Sequence, residues 1–236
     1  MISPAMTKLI GCLPKGVVKF LSSKIIYGYV DKYANIRIEN EENLSDFKRP
    51  VIYVCNHLSN SDGLILQRVL KNDDVTFVAG VKLNSNSLTS MGVSIVKTTP
   101  IQPNTADKEG IKRIISIIKN GGSMLIFPEG TRSRTGKLIK AKRGIILIAK
   151  ICKVPIVPLG ITGTEKLLPI NKEGKMEKEK FNYADINVKI GKSFSLPKKN
   201  AEETGREYEE RALEFLMNNI AELLPEEYRG EYSAKK

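Results

Sequence analysis

The sequence predicts an α/β protein: a single domain with a central mixed, largely parallel sheet flanked by helices, preceded by an amphipathic helical segment. Three observations carry that expectation. Short apolar runs suited to buried strands alternate with segments whose apolar residues recur at helical spacing. The 236 residues are 41% hydrophobic, enough for one ordinary core. In the first thirty residues, lysines and Pro14 interrupt every apolar run well short of a membrane span.

The elements follow in chain order. Residues 1–32 form the amphipathic segment, in which Lys8, Lys15, Lys19 and Lys24 interleave with Leu, Val, Phe and Ile. That pattern suits a helix lying in a membrane interface, and also a helix packed on the domain. Residues 33–236 make up the domain proper. Here "VIYVC" at 51–55 reads as a buried strand, and "SDGLILQRVLK" at 61–71 as a short helix opened by a Ser or Asp cap. "VTFVAG" at 75–80 and "VSIVK" at 93–97 read as strands. A helix is expected over 105–122, where Ile111, Ile114, Ile115 and Ile118 share one face and glycines end it. "SMLIFP" at 123–128 is a strand stopped by proline, residues 141–153 a helix, and "VPIVPLGI" at 154–161 a strand bounded by prolines. A lysine-rich loop over 170–182 precedes a strand at 185–191. A closing helix at 201–224 repeats Tyr208, Ala212, Phe215, Leu216, Ile220 and Leu223 at helical spacing.

The net charge of +12 is local. Residues 1–30 hold four lysines and no acid, and residues 130–164 hold eight basic residues and no acid. Together these zones account for the whole excess, which points to an anionic partner of limited extent. Aromatics at 6%, an absent tryptophan and no nucleic-acid-binding pattern weigh against nucleic acid. Cys12, Cys55 and Cys152 are widely spaced, as in reduced cytosolic thiols, and form neither a disulfide scaffold nor a zinc site. No metal is expected.

Two polar clusters follow directly on strands, where α/β sheets gather their ligand sites. In "YVCNHLSNSDG", His57, the sole histidine, precedes Asp62 by five residues. On a continuous helix their side chains would diverge by about 140°. With His57 in the loop and Asp62 in the first helical turn, the chain folds them together, and Asn60, Ser61 and Gly63 supply the bend. Asp62 would then hold one imidazole nitrogen as N–H and leave the other as a base. By themselves these residues also make an ordinary capped turn. The second cluster, "LIFPEGTRSR", places Glu129, Gly130, Thr131 and Arg132 beyond the next strand. A carboxylate, a close-approach glycine and a guanidinium suit a polyol phosphate, with Lys137, Lys140, Lys142 and Arg143 following. A Walker loop is excluded, because five residues separate Gly130 from Gly136 and Leu138 follows the lysine.

Three ordered segments, "NHLSNSD", "FPEGTRSR" and "VPIVPL", resemble the blocks of the glycerolipid acyltransferase family, whose best-known members are 1-acylglycerol-3-phosphate O-acyltransferases. A further block resembles "AGVKLNSNSLTSMGVSIVKT" at 79–98, and the likeness runs over about 50–162. The resemblance implies transfer of a fatty acyl group from acyl-CoA or acyl carrier protein to lysophosphatidate, giving phosphatidate. His57 would be general base and Asp62 its orienting partner. Glu129, Gly130, Thr131 and Arg132 would bind the glycerol-phosphate acceptor, with Lys82 and Lys97 as further phosphate ligands. Family members usually carry Arg where this chain has Lys97. No cofactor is implied beyond the acyl-donor substrate, and the site would face an anionic membrane from the cytoplasmic side as a peripheral protein. Glycerol-3-phosphate, another lysophospholipid or a non-phosphorylated alcohol is the alternative acceptor, and a non-catalytic binder of anionic membrane or nucleic acid the alternative class.

Overall fold

The computed structural model describes residues 15–80, 95–103, 105–171 and 179–233. Among them lie seven strands: β1 Ala34–Glu39, β2 Ile52–Cys55, β3 Val75–Gly80, β4 Thr98–Ile101, β5 Ser123–Ile126, β6 Ile156–Thr162 and β7 Ala184–Ile190. The helices are α1 Lys15–Tyr33, α2 Asp62–Val69, α3 Lys108–Lys119, α4 Gly144–Cys152, the short α5 Thr164–Leu167 and α6 Gly205–Ala221. One sheet holds all seven strands in the order β1-β7-β6-β2-β5-β3-β4. From β2 to β6 the strands run parallel, whereas β7 is antiparallel to β6 and carries β1 parallel to itself. The sheet is therefore mixed and largely parallel, as the sequence predicts.

Period-two alternation assigns the faces. Ile52, Val54, Met124 and Ile126 turn to one side, against α3, α4 and α6. Val51, Tyr53, Cys55 and Leu125 turn to the other, against α2 and the end of α1. A parallel sheet covered on both faces needs strands that are apolar throughout, and β2 and β5 are wholly buried. In α3, Ile114 and Ile118 are fully buried one turn apart, each worth roughly 1.5–3 kcal/mol. Asp107 caps that helix by accepting from the Gly110 N–H at 2.9 Å. Thr204 and Glu207 close a reciprocal capping box at the start of α6.

Two departures from expectation lie at the sheet's edges. Of the strand expected over 93–97, residues 93–94 lie outside the described residues, 95–97 are not part of a strand, and β4 begins at Thr98. Pro100 argues against a strand there, but β4 is an edge strand, where a missing N–H is tolerated. The other edge, β1, was not expected. It is marked only by Ile36 and Ile38 alternating with Asn35 and Arg37, and it finds its place by pairing with β7.

Helix α1 packs on the domain through Ser22, Ile26 and Val30, one turn apart, while Val17 and Phe20 stay exposed. No helix among the described residues is long and apolar enough to cross a membrane.

Candidate active site

The site is built where β2 and β5, neighbours at the centre of the sheet, end side by side. The chain leaves β2 through Asn56, a buried residue whose amide extends the ladder. Its Nδ2 donates to the Ile161 carbonyl and its Oδ1 accepts from the Ile161 N–H, both at 2.8 Å. His57 comes next, then a turn that brings Asp62 back as the first residue of α2.

His57 Nδ1 lies 2.7 Å from Asp62 Oδ2. The same oxygen accepts the backbone N–H groups of Leu58 at 2.7 Å and Ser59 at 2.9 Å. An acceptor already facing two donors fixes Nδ1 as the protonated nitrogen and leaves Nε2 with its lone pair. No described residue engages Nε2. Asp62 is fully buried while the His57 side chain is 21% exposed, so the base reaches solvent and its partner does not. Asp62 Oδ1 is buried without a partner among the described residues, which concentrates the carboxylate's hydrogen bonding on the imidazole side. Phe127 stacks on the imidazole at 4.0 Å between centroids and fixes the ring plane.

The loop after β5 grips His57 by its backbone. The His57 N–H donates to Glu129 Oε1 at 2.7 Å, and the His57 carbonyl accepts the Ser133 N–H at 2.8 Å. Glu129 Oε2 accepts the Ile139 N–H at 3.0 Å. Each oxygen of this buried carboxylate thus accepts a backbone N–H. Burial pushes the Glu129 carboxyl up to about 7; the two N–H groups act against that rise and nearby Asp62 adds to it. Gly130 adopts a positive φ of 70°, and a Cβ there would stand 3.1 Å from Lys142 Cγ. Gly130 and Thr131 face solvent. Cys55, two residues before the histidine, is a buried thiol whose pKa burial raises further, which makes it an inert packing group.

A protonatable base held by a carboxylate, with a glycine-bent basic loop beside it, is the layout the family blocks imply. The family model described as acyltransferase matches residues 35–162, more than half of the chain. The chain belongs to the acyltransferase family. A chloroplast 1-acyl-sn-glycerol-3-phosphate acyltransferase of Brassica napus is 34% identical over 158 residues, covering 66% of this chain and 44% of that protein. One from Arabidopsis thaliana is 31% identical over 179 residues, 75% of this chain and 47% of its own length. A Bacillus subtilis enzyme of the same description is 28% identical over 142 residues, covering 60% of this chain and 70% of that protein. The chain spans about half the length of the two plant relatives. A 1-acyl-sn-glycerophosphate (LPA) acyltransferase of Thermotoga maritima shares the fold, with a TM-score of 0.60 at 24% identity, covering 89% of this chain and 81% of that one.

Within this acyltransferase fold, His57, Asp62, Glu129, Gly130, Thr131 and Arg132 gather at the carboxyl ends of β2 and β5. Lys97, expected as a phosphate ligand, does not join them. The registers Phe77–Thr98, Phe77–Leu125 and Tyr53–Leu125 set Lys97 level with Ile52, at the amino ends of the strands. That is about 15 Å along the sheet from His57 and about 14 Å across it. There Lys97 pairs with Asp74 at 2.6 Å. Lys82 lies outside the described residues. No group of three His, Cys, Asp or Glu side chains among the described residues is placed to hold a metal.

Sequence reasoning missed Asn56, Ser133 and Glu179. Arg132 Nη1 lies 3.1 Å from Glu179 Oε1, and Asn60 Nδ2 donates to Glu179 Oε2 at 2.7 Å. The backbone N–H groups of Leu58 and Ser59, just before α2, are committed to Asp62. Further out on the basic loop, Arg134, Lys137, Lys140 and Lys142 are exposed, and no ion pair among the described residues engages them.

Proposed function

We propose that this acyltransferase moves a fatty acyl group from acyl-CoA or acyl carrier protein to the free hydroxyl of 1-acylglycerol-3-phosphate, forming phosphatidate. The observation that carries the reading is the His57 imidazole, whose Nδ1 faces the Asp62 carboxylate at 2.7 Å and leaves the Nε2 lone pair available, while the loop bearing Arg132 bonds the His57 carbonyl through Ser133. The acceptor hydroxyl gives its proton to Nε2 as its oxygen attacks the thioester carbonyl. The tetrahedral adduct collapses, the carbon–sulfur bond breaks, and the departing thiolate takes the proton back from the imidazolium. Asp62 stabilises that imidazolium. Thioesters leave readily, so no covalent acyl-enzyme is needed, and the inert setting of Cys55 agrees with direct attack.

Arg132 receives the acceptor phosphate, with Thr131 and Gly130 lining its approach. Glu129 acts by holding the His57 peptide, since its side chain is buried and each oxygen accepts a backbone N–H. The exposed cations at Arg134, Lys137, Lys140 and Lys142 suit the phosphates of the donor. The N-terminal segment meets an anionic membrane surface from the cytoplasmic side; exposed Val17 and Phe20, with Lys24 5.2 Å over the Phe20 ring, support that placement. The names of the relatives favour lysophosphatidate over other acceptors.

The test crosses oleoyl-CoA and oleoyl acyl carrier protein with lysophosphatidate, glycerol-3-phosphate, another lysophospholipid and monoacylglycerol, in the presence of anionic vesicles. Phosphatidate from lysophosphatidate is expected. His57→Ala should lower the rate by roughly 10²–10⁴-fold and move the melting temperature little. An unimpaired H57A enzyme refutes the mechanism, and preference for monoacylglycerol refutes the acceptor.

A further inference from the structure

Glu179 belongs to no motif block, yet one of its carboxylate oxygens meets each of the two site loops. Oε2 accepts from Asn60, in the turn between His57 and Asp62, and Oε1 pairs with Arg132, in the loop after β5. The Glu179 side chain is 3% exposed and that of Arg132 is 17% exposed. The segment bearing Glu179 is held from outside by aromatic contacts: Phe181 stacks on Tyr29 of α1 at 5.6 Å, and Tyr183 leans on Tyr33 at 4.8 Å.

What Glu179 leaves unused on Arg132 matters most. A guanidinium presents two forked edges, one formed by Nε–H with Nη2–H and the other by the two terminal nitrogens. The contact to Glu179 uses Nη1 alone. The Nε–Nη2 edge has no partner among the described residues, and it is the geometry that grips two phosphate oxygens at once. An unanchored arginine must order a long side chain when its ligand arrives, whereas one already fixed by a buried carboxylate does not.

We propose that Glu179 is a positioning residue for the acceptor phosphate. It anchors Arg132 by one nitrogen, ties that anchor through Asn60 to the loop carrying His57, and presents the free edge of the guanidinium at a fixed distance from the base. This rests on the reading of Arg132 as the phosphate ligand. The distance from hydroxyl to phosphate in a glycerol phosphate is then measured by the Asn60–Glu179–Arg132 bridge.

The experiment measures KM for lysophosphatidate, KM for oleoyl-CoA and kcat in wild type, E179A, E179Q, E179D, R132A and R132A/E179A, with thermal melts of each. E179A should raise the lysophosphatidate KM at least about tenfold, the scale of one charge-assisted hydrogen bond, with the oleoyl-CoA KM within twofold. E179Q should recover to within about threefold of wild type, because its carbonyl still accepts from Arg132 and its NH₂ meets the Asn60 carbonyl after an amide flip. E179D, one methylene short of spanning both partners, should fall between, and it provides the same KM comparison should E179A not fold. Adding E179A to R132A should change the acceptor KM no further. An unchanged or lowered acceptor KM in E179A overturns the proposal, and so does a loss shared equally by both substrates. If R132A itself leaves the acceptor KM unchanged, the Arg132 reading fails first and this one with it. If R132A raises that KM and E179A does not, this proposal alone fails.

Discussion

Replacing Asp62 by asparagine separates the charge of this side chain from its shape. Oδ2 accepts three hydrogen bonds, from His57 Nδ1, Leu58 N and Ser59 N. Asparagine keeps one acceptor oxygen, which takes that place and preserves the imidazole tautomer. Its NH₂ must then occupy the position of Oδ1, which is buried and has no partner among the described residues. Leaving that group unsatisfied costs about 1–3 kcal/mol, and three charge-assisted bonds become neutral ones of roughly half the strength. Removing a buried charge offsets part of the loss. A net destabilisation of about 2 kcal/mol lowers the melting temperature of a domain this size by roughly 4–8 °C. The rate suffers more, because the imidazolium formed during attack loses its counter-charge. Weakening it by about 3–4 kcal/mol slows kcat roughly 10²–10³-fold. The assay is oleoyl transfer to lysophosphatidate from pH 6 to 9, alongside differential scanning calorimetry. D62N turning over within about threefold of wild type would refute the assignment of Asp62 as counter-charge to the base.

Two further expectations concern the scaffold of the site. Asn56→Ala strands the N–H and carbonyl of Ile161 in the core; a loss of about 2–5 kcal/mol is expected, and a melting temperature within about 2 °C of wild type would count against it. The Glu129 carboxyl, pushed to about 7 by burial, holds its proton more tightly folded than unfolded. The fold therefore bears no penalty from this group below about pH 4.5 and bears the whole of it, about 3 kcal/mol, above about pH 7. Glu129→Gln removes the titration, so denaturant unfolding at pH 5 and pH 8 should show wild type losing about 2–3 kcal/mol relative to E129Q; parallel stability curves would contradict this.

The central strands were legible because burial on both faces demands continuous apolar runs, and "VIYVC" and "VTFVAG" supply them. The edges were not. Pro100 is tolerated because nothing among the described residues pairs beyond β4, a fact of topology absent from the local sequence. His57 and Asp62 stand five residues apart, so a turn argument reaches their contact. Asn56 and Ile161 are 105 residues apart, and Asn60 and Glu179 are 119. No periodicity or cap joins such pairs; they exist only once the sheet order is set. Helix α1 shows the converse limit. Its apolar residues divide, since Ile26 and Val30 enter the core while Val17 and Phe20 face outward. Pattern alone does not say which apolar residue goes where.

The two-sided hold on the His57 peptide has an engineering consequence. Its amide answers to Glu129 and its carbonyl to Ser133, both on the loop that carries Arg132. Grafting that loop from a relative to change headgroup preference would drag the imidazole along with it. Selectivity is better retuned from the Glu179 side, which meets the base-bearing turn at the Asn60 side chain and not at the His57 peptide.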